Sequence, residues 1–334
     1  MNIVQEIPSD QAEIIIIGSG IAAAAAANSI LVETRRVNNL RRVLVIESRE
    51  MCGGGTGRGN GLLNCAPHEM FHRLRSTIGL HRAAALVRFQ LAHIKVLREL
   101  CQEIDRGDGY TEFREKEMVE LYLTERDCKI AFAKARLFAQ WIPEFKIATF
   151  GADQARERFN VSQAVEGALS YDSATISPFH FVNSIWNTLL LKYKPFLYIM
   201  THTNVVAIDS VKGDPCKCES LIVSAHSTKD DGYVVRTTRG NFRCNHIVHA
   251  TNAFAPDLVP GLRSKMTGIL GTMTAMRPGF GLFNLGKRYA WSVVHGKTCD
   301  NAMQRPANQR SPGHIITSGG FSRAAGHGTS MIGV

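Results

Sequence analysis

The chain has 334 residues, of which 45% are hydrophobic and 20% are charged, and this composition is ordinary for a globular protein with one large domain or two intertwined ones. Its formal net charge is +10, but the lysines and arginines are dispersed and are not interleaved with stacking aromatic residues, which argues against nucleic-acid binding. The eight cysteines have irregular spacings rather than the framework of a small disulfide-rich domain.

The N-terminal segment and the apolar stretches indicate where the protein works. The first residues lack the positively charged region of a signal peptide. The apolar stretch Ile14–Ala27 is too short to span a bilayer, and it contains a Gly-Ser-Gly turn. We therefore expect a cytoplasmic protein with reduced thiols and without membrane attachment.

The strongest motif is a strand followed by a glycine turn. Ile14–Ile17 is a run of four β-branched residues without alternation, which favours a strand buried on both faces of a parallel sheet. Gly18–Ala23 fits G-x-G-x-x-G/A, the turn that leads such a strand into a helix. Gly18 permits the tight turn, Gly20 permits close approach to a pyrophosphate, and Ala23 permits close helix packing. The motif predicts a dinucleotide phosphate at the helix N-terminus.

A second buried strand is predicted at Val43–Ile46, and it ends in an acidic residue. Glu47 lies 27 positions after Gly20, which allows for a longer helix and loop than the usual spacing of about 20 residues. A carboxylate there accepts hydrogen bonds from a ribose diol and repels a 2′-phosphate. These features predict an adenine dinucleotide and leave open whether it is FAD or NAD.

The loop Cys52–Gly61 contains six glycines among ten residues and follows the ribose-binding strand directly. Such a loop brings several backbone N–H groups into a concave nest around an anion or a flat ring. Arg58 is a candidate to neutralise a diphosphate, and Thr56 or Asn60 to bind ring or ribitol oxygens. The position of the loop favours a second cofactor-binding segment over a flexible linker, and it argues against an NAD-dependent dehydrogenase.

This loop resembles that of the FAD-dependent oxidoreductases of the D-amino-acid oxidase, glycine oxidase and sarcosine oxidase type. Within them, the chain is most similar to fungal members related to the gamma-glutamylputrescine oxidoreductase group. Their motif usually reads Gly-Ala-Thr-Gly-Arg-Asn-Gly-Gly, and Gly54–Arg58 matches it with Gly55 in place of the alanine. In Gly59–Gly61 the asparagine and a glycine are exchanged. The resemblance implies FAD as the cofactor.

A mainly helical region follows the loop. From Pro67 to about Asp108, apolar residues recur at three- and four-residue intervals, which predicts a helix. The residues on this face are Leu86, Phe89, Ala92, His93, Val96 and Leu100. Lys129–Trp141 predicts another helix, which ends before Pro143.

Two groups of possible metal ligands are incomplete. His68 and His72 lie one helical turn apart with Cys65 nearby, but no third or fourth ligand has suitable spacing. Cys216 and Cys218 do not complete a zinc site by themselves. We therefore predict no metal site.

The segment Leu169–Pro178 resembles the one that leads into a helix in this family, and Phe179–Tyr193 is the predicted helix. We assign Tyr171 and Asp172 to turn chemistry rather than to catalysis. The next predicted strands form a small β meander, as is typical of FAD-binding Rossmann domains. They are Thr203–Ile208, Leu221–Ala225, Tyr233–Thr238 and His246–His249.

Two further cofactor contacts follow from the resemblance. Val205 occupies the position where family members use backbone groups to bind adenine. Ala250-Thr251-Asn252 matches the family's Ala-Thr-Asn-Gly strand end, which passes the FAD near its phosphates, with Ala253 in place of the glycine.

The C-terminal part is predicted to supply a substrate sheet, with strands at Gly268–Met273, Tyr289–Val294 and His314–Thr317. Arg277 and Arg305 are candidates to pair with a substrate carboxylate, because arginine suits bidentate recognition. The family pattern continues past Val334 with a strand, a glycine loop and a helix that cover the flavin. We therefore expect a C-terminally truncated chain.

The predicted fold is α/β: a three-layer, FAD-binding Rossmann-type domain with an interleaved α+β substrate domain. Residues 1–66 and 170–260 are assigned to the FAD-binding domain, with the β meander in the second part. Residues 67–169 are assigned to a mainly helical insertion. Residues 261–334 are assigned to substrate-domain strands, with the final cofactor-binding segment absent.

The resemblance implies oxidation of the C–N bond of a small amine or amino acid by hydride transfer to flavin. A non-polar cavity that keeps the amine unprotonated is sufficient, so no catalytic side chain is assigned. The alternatives are an inactive, truncated FAD-binding fragment and an NAD-dependent dehydrogenase. The predicted cofactor-binding residues are Gly18, Ser19, Gly20, Ile21, Ala23, Glu47, Gly55, Thr56, Gly57, Arg58, Asn60, Gly61, Val205, Ala250, Thr251 and Asn252.

Overall fold

The computed structural model describes residues 12–63, 66–107, 109–211, 232–268, 271–279, 287–296, 298–308 and 311–319. These residues form two compact units. Unit 1 contains the described residues within 1–59 and 178–270, and unit 2 those within 60–177 and 271–329. The predicted strand Leu221–Ala225 and the cysteines Cys65, Cys216 and Cys218 lie outside the described residues.

The helices are α1 (Ile21–Arg36), α2 (Pro67–Ile78), α3 (Leu80–Asp105), α4 (Glu125–Trp141), α5 (Ala152–Phe159), α6 (Pro178–Lys192) and α7 (Ala255–Leu258). The strands are β1 (Ile14–Ile17), β2 (Val43–Ile46), β3 (Arg114–Tyr122), β4 (Ile147–Gly151), β5 (Gly167–Thr175), β6 (Leu197–Met200), β7 (Val205–Ser210), β8 (Tyr233–Thr237), β9 (Gly240–Cys244), β10 (His246–His249), β11 (Thr272–Met276), β12 (Tyr289–His295), β13 (Thr298–Gln304), β14 (Ala307–Asn308), β15 (Ser311–Pro312) and β16 (Ile315–Gly319).

Unit 1 is a three-layer α/β structure, as the sequence predicts. Its parallel sheet has the strand order β10-β1-β2-β6. The antiparallel meander β7-β8-β9 packs on one face, where Ile15 and Leu44 contact Val235 and Phe242. The helices α1 and α6 contact each other, and each also contacts a strand of the parallel sheet. The alanines of α1 that face inward are completely buried, which permits the close helix packing that the motif predicts.

Strand β10 departs from its predicted place. Its sequence predicts a strand of the meander, but it pairs in parallel with β1 along its whole length. The third strand of the meander is instead β9, which was not predicted. As a result the carboxyl end of β10 lies beside the glycine turn that follows β1.

Unit 2 is built on a seven-stranded mixed sheet with the order β11-β16-β13-β12-β3-β5-β4. Strand β3 lies inside this sheet, where it pairs in parallel with β12 and antiparallel with β5. One hydrophobic cluster of the unit joins Phe71 of α2 with Ala83 of α3 and Phe138 of α4. Another joins β3 and β5 with Phe159 of α5.

The predicted helix from Pro67 to Asp108 is two helices. They meet at Gly79, whose positive φ of 81° is a conformation that favours glycine and that ends α2. Helix α3 buries Ala83, Ala84 and Val87 rather than the stripe that runs from Leu86 to Leu100.

The predicted domain boundaries are also displaced. The boundary after residue 169 falls inside β5, which pairs with β3 over nine residues and therefore belongs entirely to unit 2. The compact units divide between Ser177 and Pro178 instead, and between Gly59 and Asn60 rather than after residue 66. Tyr171 and Asp172 consequently lie in a strand, so their assignment to a turn was wrong.

Within the parts of the chain that the structure describes, no helix combines the length and the apolar character needed to cross a bilayer.

Candidate functional site

The glycine turn of unit 1 requires glycine at its first position. Gly18 has a φ of 107°, and a Cβ placed on it would lie 2.6 Å from the carbonyl oxygen of Ala250. Its N–H donates to the carbonyl of Ile46, and the N–H of Ala250 donates to Ile17. The turn is therefore held between the ends of β2 and β10, where neither the backbone angle nor the space admits a side chain.

The glycine-rich loop lies against the N-terminus of α1. The hydroxyl oxygen of Thr56 accepts a hydrogen bond of 3.2 Å from the N–H of Ile21, the first residue of the helix. A Cβ placed on Gly20 would lie 2.9 Å from the same oxygen, and one placed on Gly55 would lie 3.6 Å from Nδ2 of Asn252. Three segments that are far apart in the sequence thus converge at one helix N-terminus, where backbone N–H groups and the helix dipole favour an anion.

Glu47 is buried at the end of β2, and its carboxylate is already well bonded. One oxygen accepts hydrogen bonds from the N–H and the hydroxyl of Ser19, at 3.0 and 2.6 Å. The other accepts from the N–H of Arg49 at 2.9 Å and from the hydroxyl of Ser48 at 3.3 Å. Because a carboxylate offers about four acceptor positions, a further donor would have to replace one of these partners, and the longest bond belongs to Ser48.

Ser19 connects the glycine turn with the end of β2, the glycine-rich loop and α6, a role that the motif alone does not reveal. Besides donating to Glu47, its hydroxyl accepts the N–H of Cys52 at 2.8 Å. Its carbonyl accepts the indole N–H of Trp186, on α6, at 2.9 Å. Burial and the charge of Glu47 raise the pKa of the Cys52 thiol to about 12, so this cysteine is a protonated packing residue. No spacing rule in the sequence points to Trp186.

Thr251 carries a buried hydroxyl that no described residue bonds. It lies between Ala250, which contacts Gly18, and Asn252, which lies beside Gly55. Asn252 has a φ of 47°, so the chain turns sharply at this point. A buried hydroxyl without a partner costs free energy that a bound ligand recovers. Together with the glycine cradle, this hydroxyl shows that the residues present fit a dinucleotide phosphate.

The remaining predicted cofactor residues are not all brought to this place. Arg58 is exposed within the glycine-rich loop. Asn60 and Gly61 belong to unit 2, where the Asn60 amide donates to the Ser318 hydroxyl and the Gly61 carbonyl accepts the N–H of Ile176. The side chain of Val205 is buried in the core of unit 1, at the start of β7.

The two candidate substrate arginines differ sharply. Arg305 donates two hydrogen bonds to the carboxylate of Glu112, at 3.1 and 2.5 Å, so its guanidinium is engaged within unit 2. Arg277 follows β11 and is exposed. Arg305 must break its hydrogen bonds to Glu112 before it can bind a ligand, whereas Arg277 need not break these bonds.

Unit 2 also contains a buried polar cluster that the sequence analysis did not predict. Glu120 accepts hydrogen bonds from the hydroxyls of Tyr122 and Tyr171, at 2.7 and 2.5 Å. The completely buried ring of His68 lies 3.4 Å from the same carboxylate, and neither of its nitrogens has a hydrogen-bond partner among the residues described. No set of three His, Cys, Asp or Glu side chains in the described ranges is arranged to hold a metal ion.

Comparison with known protein families gives one match over almost the whole chain. The model of the family described as FAD dependent oxidoreductase matches residues 13–327. No curated protein sequence matches the chain.

Solved structures share the fold at low sequence identity. Glycine oxidase from Geobacillus kaustophilus has a TM-score of 0.62 and 19% identity, and the match covers 95% of this chain and 75% of that one. L-amino acid deaminase from Proteus vulgaris has a TM-score of 0.59 and 15% identity, with 96% of this chain and 63% of that one covered. L-alpha-glycerophosphate oxidase from Mycoplasma pneumoniae, solved with FAD bound, has a TM-score of 0.58 and 13% identity, with coverages of 92% and 71%.

Proposed function

Because the chain belongs to the family of FAD dependent oxidoreductases, whose model spans residues 13–327, we propose that it oxidises the C–N bond of a small amine or amino acid with FAD. The observation that carries the cofactor half of this proposal is the convergence of Gly18, Thr56 and Thr251 at the N-terminus of α1. Family membership decides against the NAD-dependent dehydrogenase that the first glycine motif alone permits.

In this proposal the residues of unit 1 hold the adenosine diphosphate part of FAD. The turn Gly18–Ala23 and the loop Gly55–Arg58 surround the phosphates with backbone N–H groups and one arginine. Thr251 donates its free hydroxyl, and Glu47 exchanges its bond to the Ser48 hydroxyl for the ribose. The backbone at Val205 serves the adenine. The family resemblance also assigned Asn60 and Gly61, but their contacts in unit 2 make them positioning residues.

FAD supplies a two-electron acceptor, so the protein needs only to orient the substrate and exclude water. Arg277 is the proposed partner of a substrate carboxylate, because it is exposed whereas Arg305 is bound to Glu112. The amine must be unprotonated before hydride leaves, and an apolar cavity achieves this by penalising the charged form. We place this reaction in the cytoplasm, in keeping with the five cysteines that the structure describes as unpaired.

The test begins with a titration of FAD into the purified chain. Binding is measured from the change in flavin fluorescence. Wild type should bind FAD. Gly20→Ala should weaken binding at least about tenfold, because its methyl group meets Thr56 at the phosphate cradle. Gly54→Ala is the matched control, because a Cβ there has open space around it, and it should bind like wild type. A chain that binds no FAD overturns the site assignment and supports an inactive fragment.

The substrate class is tested separately, with the FAD-loaded chain under anaerobic conditions. Members of a panel of D- and L-amino acids and simple amines should bleach the oxidised flavin band. Arg277→Gln should raise the concentration of amino acid that is needed for bleaching, but not the concentration of amine. Bleaching by L-alpha-glycerophosphate or another alcohol, without bleaching by any amine, overturns the C–N assignment and leaves the FAD site intact.

A further inference from the structure

Helix α3 presents an apolar face that no described part of the chain covers. Leu86, Phe89, Val96 and Leu100 are 40%, 65%, 51% and 38% exposed, and His93 lies among them with its ring edge-on to Phe89 at 4.7 Å. We call these five residues the α3 seam. Exposed apolar residues that are contiguous mark interaction surfaces far more often than isolated ones do.

The spacing of the α3 seam is that of a helix that packs against another helix. Successive seam residues are separated by three, four, three and four positions. This is the narrow stripe of a helix pair, whereas a helix that packs on a globular core has a wider stripe. Exposed Ala92 flanks the middle of the seam and leaves room for a second helix backbone.

The core-facing side of α3 is a different surface. Ala83, Ala84 and Val87 point inward and pack with Phe71 of α2. The seam therefore does not contribute to the folding core of unit 2. With the inward side and the seam taken together, this helix of 26 residues is apolar nearly all round. In a protein of ordinary composition, a second apolar side indicates a second packing partner.

The charges at the two ends of the α3 seam identify that partner. Arg82 lies eleven positions before His93, and Glu103 lies ten positions after it. Both are exposed and continue the spacing of the seam, and neither forms an ion pair within the described part of the chain. If the same helix of a second copy packs antiparallel, with a two-fold axis at His93, each Arg82 meets Glu103 of the partner subunit. Parallel packing would set like charges against each other.

We propose that the α3 seam is a homodimer interface in which α3 packs antiparallel against α3 of a second copy of this chain. The contact is small, because a helix of 26 residues is about 39 Å long and one helix face buries less than the roughly 800 Å² per partner of a standard interface. The dimer therefore forms reversibly, at micromolar concentrations.

The test is sedimentation velocity of the full chain from about 1 to about 100 µM. Wild type should shift from monomer towards dimer across this range. Arg82→Glu and Glu103→Arg should each weaken the dimer at least about tenfold, and the double reversal should restore it. Lys95→Glu is the matched control: it reverses a charge on the same helix, about 200° around the axis from His93, and should leave the dimer unchanged.

A crosslinking arm tests whether the α3 seam is the surface in contact. In a Cys299→Ser background, which removes the exposed cysteine of the described residues, His93→Cys should form an intermolecular disulfide on oxidation and Lys95→Cys should not. A chain that sediments as a monomer throughout overturns the proposal. A dimer that all charge variants leave intact, or that the double reversal fails to restore, places the interface elsewhere and overturns it as well.

Discussion

Replacing Lys116 by methionine measures what one buried amine costs this fold at neutral pH. Lys116 lies on β3 in the middle of unit 2, is 4% exposed, and donates from Nζ to the carbonyl of Lys287 at 2.6 Å. Burial, together with the charge of Arg114, lowers its pKa from the ordinary 10.5 to about 8. At pH 7 the folded protein therefore holds a charge where its environment favours the neutral amine.

The sign and size of the effect follow from linkage. A lysine whose pKa is lowered on folding destabilises the native state fully below the folded value of about 8, and the penalty disappears as pH rises towards 10.5. The difference between these values corresponds to about 3 kcal/mol, at about 1.4 kcal/mol per pKa unit. Loss of the hydrogen bond to Lys287 offsets about 1 kcal/mol. Lys116→Met should thus raise the free energy of unfolding at pH 7 by about 2 kcal/mol.

The assay is urea unfolding of both proteins at pH 7 and pH 10, with the free energy taken from the linear extrapolation. The gain at pH 7 should shrink to near zero by pH 10, since the remaining penalty of about 1 kcal/mol is then offset by the lost hydrogen bond. Lys95→Met controls for the loss of a lysine from the surface, because the Lys95 side chain is 77% exposed, and it should change little at either pH. A gain that is equal at both pH values, or a loss at pH 7, would refute the reasoning.

Three further substitutions probe contacts inside unit 1 or inside unit 2, and the effect of each is measured by urea unfolding. Gly18→Ala should lower the free energy of unfolding by about 3 kcal/mol or more, because its backbone angle and the adjacent carbonyl both exclude a methyl group, while Gly54→Ala should change it by less than about 0.5 kcal/mol. Trp186→Phe should cost about 1 to 3 kcal/mol, since it leaves a buried carbonyl without its donor. Tyr171→Phe should cost about 2 kcal/mol, since it removes one of the two tyrosine hydroxyls bonded to Glu120.

The first half of unit 1 was predictable because its signals are local. Four isoleucines, a glycine turn and an alanine-rich helix follow one another without interruption, and each element favours the same structure as its neighbour. Strand β10 was harder, because the run His246–His249 also suits a meander. Only its pairing with β1, more than two hundred residues away in the chain, distinguishes the two.

Strand β3, an interior strand of the unit 2 sheet, escaped prediction for a physical reason. Strand β3 begins Arg-Glu-Lys-Glu, which carries neither the alternation nor the apolar run by which strands are recognised. It lies inside the sheet because β12 and β5 pair with its two edges. Its buried charged residues are hydrogen-bonded: Glu120 accepts from two tyrosines, and Lys116 donates to a carbonyl. Tyr171 and Lys287 come from segments far from β3 in the sequence, so no single window of the sequence contains the information.

Glu47 shows the same limit inside the candidate site. Its position after β2 predicts a ribose ligand, and the sequence supports that role well. The sequence does not show that Ser19 and Arg49 already bond the two carboxylate oxygens of Glu47, because these bonds depend on three-dimensional packing. The consequence is chemical: a carboxylate held by two backbone N–H groups cannot rotate freely, so under the proposed function a ribose would take the one position that Ser48 fills weakly at 3.3 Å. In that proposal the protein's own hydrogen bonds set the direction of the ribose contact before any ligand is present.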